Sequence, residues 1–210
     1  MIAVLTGDIV SSTDLSESNY QLIIKNLKTV CSVIEQSYLA EWEIYRGDSF
    51  QFYFPKPEYA MAGTVLLKTF LQSLSVEDES VNVTLSLGIG EVSVHSDRLS
   101  TSQGSAFTLS GRGLDKTSSG ELSIHIENED LREYLVLPTR FLNQLMSSFS
   151  CKQAEALYYY VSLSFPEHQQ IADKMQTSRQ NISKHLHRIG AELVKEYLLF
   201  FEAQVNKANR

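Results

Sequence analysis

The sequence holds only two cysteines in 210 residues, Cys31 and Cys151, and no motif pairs them. A disulfide framework is therefore excluded as a source of stability, and a reducing cytoplasm is the expected compartment. No apolar run approaches the roughly 20 residues of a membrane span. The opening "MIAVLTGDIV" lacks the basic leader and cleavage site of a signal peptide, so no membrane partner is expected. Positive charge is also scarce: 18 basic against 25 acidic side chains leave a net of −7, which argues against a protein coated in nucleic acid. Internal repeats and low-complexity segments are absent. Five histidines, His95, His125, His168, His185 and His187, stand at no zinc-ligand spacing. Gly88 and Gly90 lack the rest of a dinucleotide fingerprint, and no nucleophile motif supports Ser-His-Asp catalysis.

What is present is enough apolar material for a good core, 43% hydrophobic with 20% charged, in a chain long enough for one domain and an appendage. Charge divides the chain. Residues 1–150 carry 10 basic and 19 acidic side chains, a net of −9; residues 151–210 carry 8 and 6, a net of +2. An acidic body with a mildly basic tail suggests two jobs.

Along the body, "IAVLTGDIV" reads as a buried strand, followed by serine and threonine N-caps and an apolar pattern of helical period at Leu22, Ile23, Leu27, Val30 and Ile34. "EWEIYRGDSFQFYF" reads as two strands joined at Gly47-Asp48. A helix, an acidic loop "SVEDES", a strand "VNVTLSLGIGEVSVH", a polar loop, a helix "AFTLSGRGLDKTS" and a strand "GELSIHIEN" follow. The order β-α-β-β-α-β-α-β over about 126 residues predicts an α+β fold: a ferredoxin-like, palm-like layer of antiparallel or mixed sheet with helices on one face. Residues 128–150 then read as a bridging helix broken near Pro138. The aromatic run Tyr158, Tyr159 and Tyr160 reads as helix packing.

The tail, residues 151–210, is all helical by pattern. "HQQIADKMQTSRQNISKHLHRI" has helix-turn-helix spacing: Ile171 and Ala172 on a first helix, "MQTS" as the turn, Ser178 as N-cap, and Ile182 and Leu186 facing inward. Ser178, Arg179, Gln180, Asn181, Ser183, Lys184, His187 and Arg188 are the expected DNA-facing residues, because amide and guanidinium groups early on such a helix suit base edges and phosphates. Residues 151–190 also resemble the winged or sigma-region-like helix-turn-helix of bacterial regulators. A stripe at Ile182, Leu186, Ile189, Leu193, Tyr197 and Phe200 predicts one long helix, whose second half covers either the body or a second subunit. A homodimer is the expectation, since paired readers of two half-sites gain affinity.

Taken singly, Asp8 and Asp48 read as turn acids and Arg112 as a surface arginine. Together, "LTGDIVSST", "YRGDSFQFYF", "LSLGIGEV" and "GSAFTLSGRGLDK" resemble, in order, the metal strand, Gly-Asp hairpin, glycine strand and catalytic helix of class III nucleotidyl cyclases. Within bacteria, the "TGDI" start and "GDSFQ" hairpin resemble the SatD-like group. The resemblance implies that residues 1–127 form a cyclase-like domain. Asp8 and Asp48 would hold Mg²⁺ or Mn²⁺ with a nucleoside triphosphate, Gly47 and Gly104 would lie against the nucleotide, and Arg112 and Thr108 would stand at the catalytic positions. Thr108 replaces the family's asparagine. Ile44 and Thr101 stand where adenylyl cyclases carry a base-reading lysine and its acidic partner, and neither can read adenine as that pair does. The expected function is a DNA-binding transcriptional regulator, acting on double-stranded DNA, whose cyclase-like domain binds nucleotide and metal or serves as a dimerisation scaffold. The alternative is an active metal-dependent nucleotidyl cyclase or related phosphoryl-transfer enzyme.

Overall fold

The computed structural model describes residues 1–209, with Arg46 described by its backbone alone. The expected order of elements is present. Strand β1 (Ile2–Ile9) leads to α1 (Glu17–Tyr38), whose start is capped by the Ser16 hydroxyl accepting from the Asn19 N–H. The hairpin β2 (Glu41–Arg46) and β3 (Ser49–Phe54) turns at Gly47, whose φ of 60° suits a residue without a Cβ. Helix α2 (Ala60–Ser73), strand β6 (Val83–Gly90), helix α3 (Ser105–Leu114) and strand β7 (Leu122–Ile126) complete the layer. Between α2 and β6 the "SVEDES" segment is a miniature hairpin, β4 (Ser75–Val76) and β5 (Glu79–Ser80), instead of the expected loop. Its turn places Glu77 and Asp78 at φ of 54° and 67°, a conformation their short-range sequence signal did not announce.

The five-stranded sheet has the order β2-β3-β1-β6-β7, with only β6 and β7 parallel. Strand β1 is central, antiparallel to both neighbours, and its residues alternate between two covered faces. Ala3 and Leu5 join Phe50, Phe52, Phe54, Leu85 and Leu87 under α1 and α2. Ile2 and Val4 join Tyr53, Ala106 and Phe107 under α3. The expectation of helices on one face is therefore corrected: α3 lies on the face opposite α1 and α2. The near-continuous burial of β1 follows from this double cover.

Two further expectations fail at particular residues. Helix α4 (Glu129–Met146) runs unbroken through Pro138, and the carbonyl that loses its partner belongs to Tyr134, an exposed residue where water can replace the bond. The predicted long last helix is two, α7 (Arg179–Arg188) and α8 (Ala191–Ala208), divided at Gly190 with φ of 63°. That break resets the helical phase. Ile182, Leu186 and Ile189 are buried as expected, but Leu193 and Phe200 are exposed and Val194, Leu198, Phe201 and Val205 take the inner face.

The helices after β7 share the sheet's core. Helix α5 (Cys151–Ser162) packs on α2, with Phe70 against Tyr158, and the Gln72 amide donates to the carbonyls of Met146 and Phe149. Helix α8 lies along α4 and the segment before α2, and one buried cluster extends from Ala3 to Val205. Of the two roles left open for the last helix, covering the body is the one found. Leu137 and Phe141 on α4 and Leu193 on α8 stay exposed.

One cation sits inside this core. Lys68 on α2 is 2% exposed, and its Nζ donates to the carbonyls of Gly120 (2.7 Å) and Val83 and to Asn82 Oδ1. Burial pulls its pKa down to about 8, against a smaller upward pull from Glu121. Because the unfolded chain holds this proton more tightly, stability must rise with pH between about 8 and 10.5. Unfolding between pH 7.5 and 9.5 should therefore show about 2 kcal/mol of added stability from this group, and Lys68→Met should flatten that rise. Denaturant melts at the two pH values check it.

Candidate metal and nucleotide site

The two acids singled out in the sequence come together at one end of the sheet. Asp8 lies near the end of β1, and Asp48 lies in the turn that opens β3, the strand beside it. Ser49 Oγ donates to Asp8 Oδ1 at 2.7 Å, which fixes both side chains on the α3 face. Asp48 Oδ2 is buried and, among the described residues, meets no hydrogen-bond donor. A buried carboxylate oxygen without a partner is costly, and a cation is the group that would satisfy it. Tyr20 on α1 borders the same turn: a Cβ at Gly47 would stand 3.7 Å from its hydroxyl. Its phenol is pushed up, first by burial and then by the negative charges of Asp48 and Glu17.

The donor set fits a hard divalent ion only in part. No cluster of three or more His, Cys, Asp or Glu residues that could hold a metal occurs among the described residues. Two carboxylates leave several coordination positions to other oxygens, as is usual for Mg²⁺ held jointly by protein and phosphate. Such an ion would supply charge neutralisation for a polyphosphate.

On the α3 face, two residues along β3 from Ser49, opens a cleft of about 730 Å³ walled by Tyr45, Gln51, Leu99, Gly104, Phe107 and Thr108; neither acid lines it. Its outer wall is the segment from Glu91 to Gly104, held down by Tyr53 stacked between His95 (4.6 Å) and Phe107 (6.2 Å). Glu43 Oε2 accepts from the Ser100 N–H at 3.0 Å, and its Oε1 accepts from Arg98 Nε at 3.1 Å. The Ser100 N–H and the Arg98 guanidinium hold the Glu43 carboxyl below its usual value.

Each sequence candidate can now be placed. Thr108 lines the cleft, but its hydroxyl donates to the Gly104 carbonyl of its own helix. Arg112 follows one turn later on the same exposed side of α3, outside the cleft lining. Gly47 is a turn residue, whereas Gly104 combines φ of 151° with a close approach to the Glu91 carbonyl. Ile44 is corrected: it pairs with Phe50 and packs on the α1–α2 core, so it does not face the cleft at all. Thr101 sits on an exposed turn, bonded to the Arg98 carbonyl. Ser49, Gln51, Tyr45 and Tyr20 are the site residues that sequence reasoning missed. Strand alternation from Asp8 and the hairpin register could have found the first two.

In the tail, α6 (His168–Lys174) packs on α7 across the turn, and both rest on α5. Ser178 Oγ accepts from the Asn181 N–H at 3.2 Å, as expected of an N-cap. Ser178, Arg179, Gln180, Asn181, Ser183, Lys184, His187 and Arg188 are all exposed, while Ile182 and Leu186 are buried.

No family model matches the sequence, and no curated protein matches it. Among solved structures the sheet half is similar to class III nucleotidyl cyclase domains. The guanylyl cyclase domain of the RhoGC fusion protein from Blastocladiella emersonii is 18% identical, with a TM-score of 0.48 over 59% of this chain and 77% of that one. The guanylate cyclase domain of RhGC from Catenaria anguillulae, solved with GTP, is 16% identical, with a TM-score of 0.46 over 59% and 76%. The adenylyl cyclase CyaB from P. aeruginosa is 16% identical, with a TM-score of 0.44 over 59% and 75%. No described helix is long and apolar enough to cross a membrane.

The geometry at Gly104 gives a prediction that needs no ligand. A Cβ there would collide with the Glu91 backbone at a φ that side chains rarely adopt. Gly104→Ala should cost about 2 kcal/mol, seen as a melting temperature lower by roughly 4–8 °C.

Proposed function

We propose that this protein is a DNA-binding regulator whose sheet half binds a nucleoside triphosphate together with Mg²⁺ or Mn²⁺. The observation that carries the nucleotide half is Asp48 Oδ2, buried and without a donor among the described residues, one position before the Ser49 whose hydroxyl holds Asp8. The cyclase-like motifs of the sequence agree with it. Asp8 and Asp48 would hold the ion, and the ion would shield the phosphates from these two carboxylates. Ser49 orients Asp8, Tyr45 and Phe107 flank the ligand, and Gly104 lets the outer wall approach α3. Turnover is not part of this reading, because the Thr108 hydroxyl is turned back on its own helix and Arg112 stands outside the cleft.

The DNA half rests on the eight exposed polar residues of α7 above a buried Ile182–Leu186 face. Basic residues between Arg179 and Lys195 outnumber acids four to one. A recognition helix needs this combination of rigid seat and free polar face.

Titration calorimetry with Mn²⁺ and each of ATP and GTP should show metal-dependent binding, weakened at least tenfold by Asp8→Asn and by Asp48→Asn. Equal affinity in both variants would sink the nucleotide half. Fluorescence anisotropy with a mixed-sequence DNA duplex should give an affinity that falls steeply with salt. Arg179→Ala and Lys184→Ala should each lower the slope of log K against log salt by about 0.9, the value of one lost phosphate contact. A salt-independent signal would mean that the tail docks a protein instead.

A further inference from the structure

Gln51 is a glutamine in the middle of β3, 8% exposed, on the floor of the cleft. Its two polar ends are treated differently. The Nε2 group donates to Thr6 Oγ1 at 3.1 Å, while Oε1 is buried and meets no donor among the described residues. An amide could turn over and exchange the two ends, so the direction has to come from its surroundings. Here a one-way chain supplies it. Ser110 gives its single hydroxyl proton to the Phe107 carbonyl at 3.1 Å, so Ser110 Oγ can only accept from Thr6, at 2.9 Å. Thr6 has then spent its proton and must accept from Gln51, whose NH₂ is thereby pinned toward β1. The carbonyl end is left pointing away from Thr6, a fixed, buried acceptor beside the cleft with no donor among the described residues.

The position of that acceptor relative to the acids is set by the strand. Ser49, which holds Asp8, and Gln51 are successive residues on one face of β3, ~7 Å apart at a rise of ~3.4 Å per residue. Phe107 and Tyr45 stand at the cleft walls beside it. A ligand with its phosphates at Asp8 and Asp48 would therefore lay its ring over Gln51.

We infer that Gln51 Oε1 selects the ligand's base, and that the site takes nucleoside triphosphates whose ring presents an N–H donor, either an exocyclic amine or a ring imino group. This inference rests on the nucleotide reading above and adds a specificity residue to it. A pocket that buries an unpaired acceptor rejects an analogue lacking the matching donor far more strongly than it rejects a change of size. Gln51 is then a recognition group, while Thr6 and Ser110 are positioning residues that act only through it.

The test uses ATP, GTP and purine riboside triphosphate, whose ring carries no N–H, each titrated with Mn²⁺ into the full chain. The expected result is that ATP or GTP binds at least tenfold more tightly than the donor-free analogue. Gln51→Leu should erase that ratio by weakening the natural nucleotide, leaving the analogue's affinity and its dependence on Asp48 unchanged. Thr6→Val supplies a second test on a variant that keeps Gln51. Without the Thr6 acceptor the amide can rotate and offer its NH₂ to a ring nitrogen, so the analogue should gain affinity and the ratio should fall. A merely structural role for the chain would not improve binding of any ligand. A ratio near one in the unmodified protein, or a ratio that survives both substitutions, overturns the role of Gln51 while leaving the metal–triphosphate site standing. Absence of metal-dependent binding by all three triphosphates overturns that site and the inference together.

Discussion

Helix α3 can lie on this sheet only because Gly88 has no side chain. A Cβ at that point of β6 would occupy the space of the Ala106 carbonyl and the Ser110 N–H, so any larger residue lifts the helix off the strands. Contact at this distance brings Ser110 within reach of Thr6, and it is this hydroxyl pair that links the helix to β1. The cleft inherits its shape from that contact. Phe107 and Thr108 form a wall because α3 is seated low, and Gly104 begins the helix where the preceding segment crosses the Glu91 backbone. If α3 moved by the width of a methyl group, the Thr6–Ser110 bond would break and the orientation of Gln51 would no longer be fixed.

The opposite face of the sheet obeys a different rule. Phe50, Phe52 and Phe54 alternate on β3 into a largely apolar layer under α1 and α2, with Phe52 and Phe54 stacked at 5.8 Å. That layer continues past α2 into α5 and α8, so the helical tail is joined to the sheet by ordinary core packing. The two faces thus divide labour. One carries the packing that orders the chain, which leaves the other free to hold polar groups such as Asp8, Thr6, Gln51 and Ser49 in positions that packing alone would not favour. Lys68 marks the limit of this division. It is a buried cation in the packing face, tolerated because three acceptors surround its Nζ.

The legible features of the sequence were those with a local signal. Helical periodicity in Leu22, Ile23, Leu27, Val30 and Ile34 named the buried face of α1 at every position but Leu22, which is 48% exposed, and Gly47-Asp48 named the hairpin. Ser178 named a cap, and the exposed and buried sides of α7 followed from it. The unread features depended on distant partners. Gly190 in a helix-compatible run gave no local warning that the chain would turn, so the apolar stripe was carried through it and assigned to Leu193 instead of Val194. Ile44 was placed by the resemblance to adenylyl cyclases, which does not reveal the irregular pairing between Ile44 and Arg46 that decides which face a residue joins. Gln51 could have been put on the face of Asp8 by strand alternation, but the direction of its amide could not. Its interest comes from Ser110, 59 positions later, which settles the direction of its amide.

The energetics of the acidic end connect these points to ligand binding. Among the described residues Asp48 keeps one oxygen buried without a donor, and Gln51 keeps another. Each such atom costs about 1–3 kcal/mol relative to a satisfied one, so the fold carries a local penalty at two points that a single ligand could relieve. Strand geometry puts Ser49, which holds Asp8, and Gln51 on one face of β3, and Asp48 adjoins Ser49 in the turn. A ligand that satisfies only the metal end recovers part of the penalty; one that also donates to Gln51 recovers both parts. Under the nucleotide reading the site would gain discrimination before anything binds, because the Gln51 acceptor is already held in position by Thr6. On that reading Thr6 and Ser110, which would touch no ligand, would still serve recognition: without them the acceptor is present but not aimed.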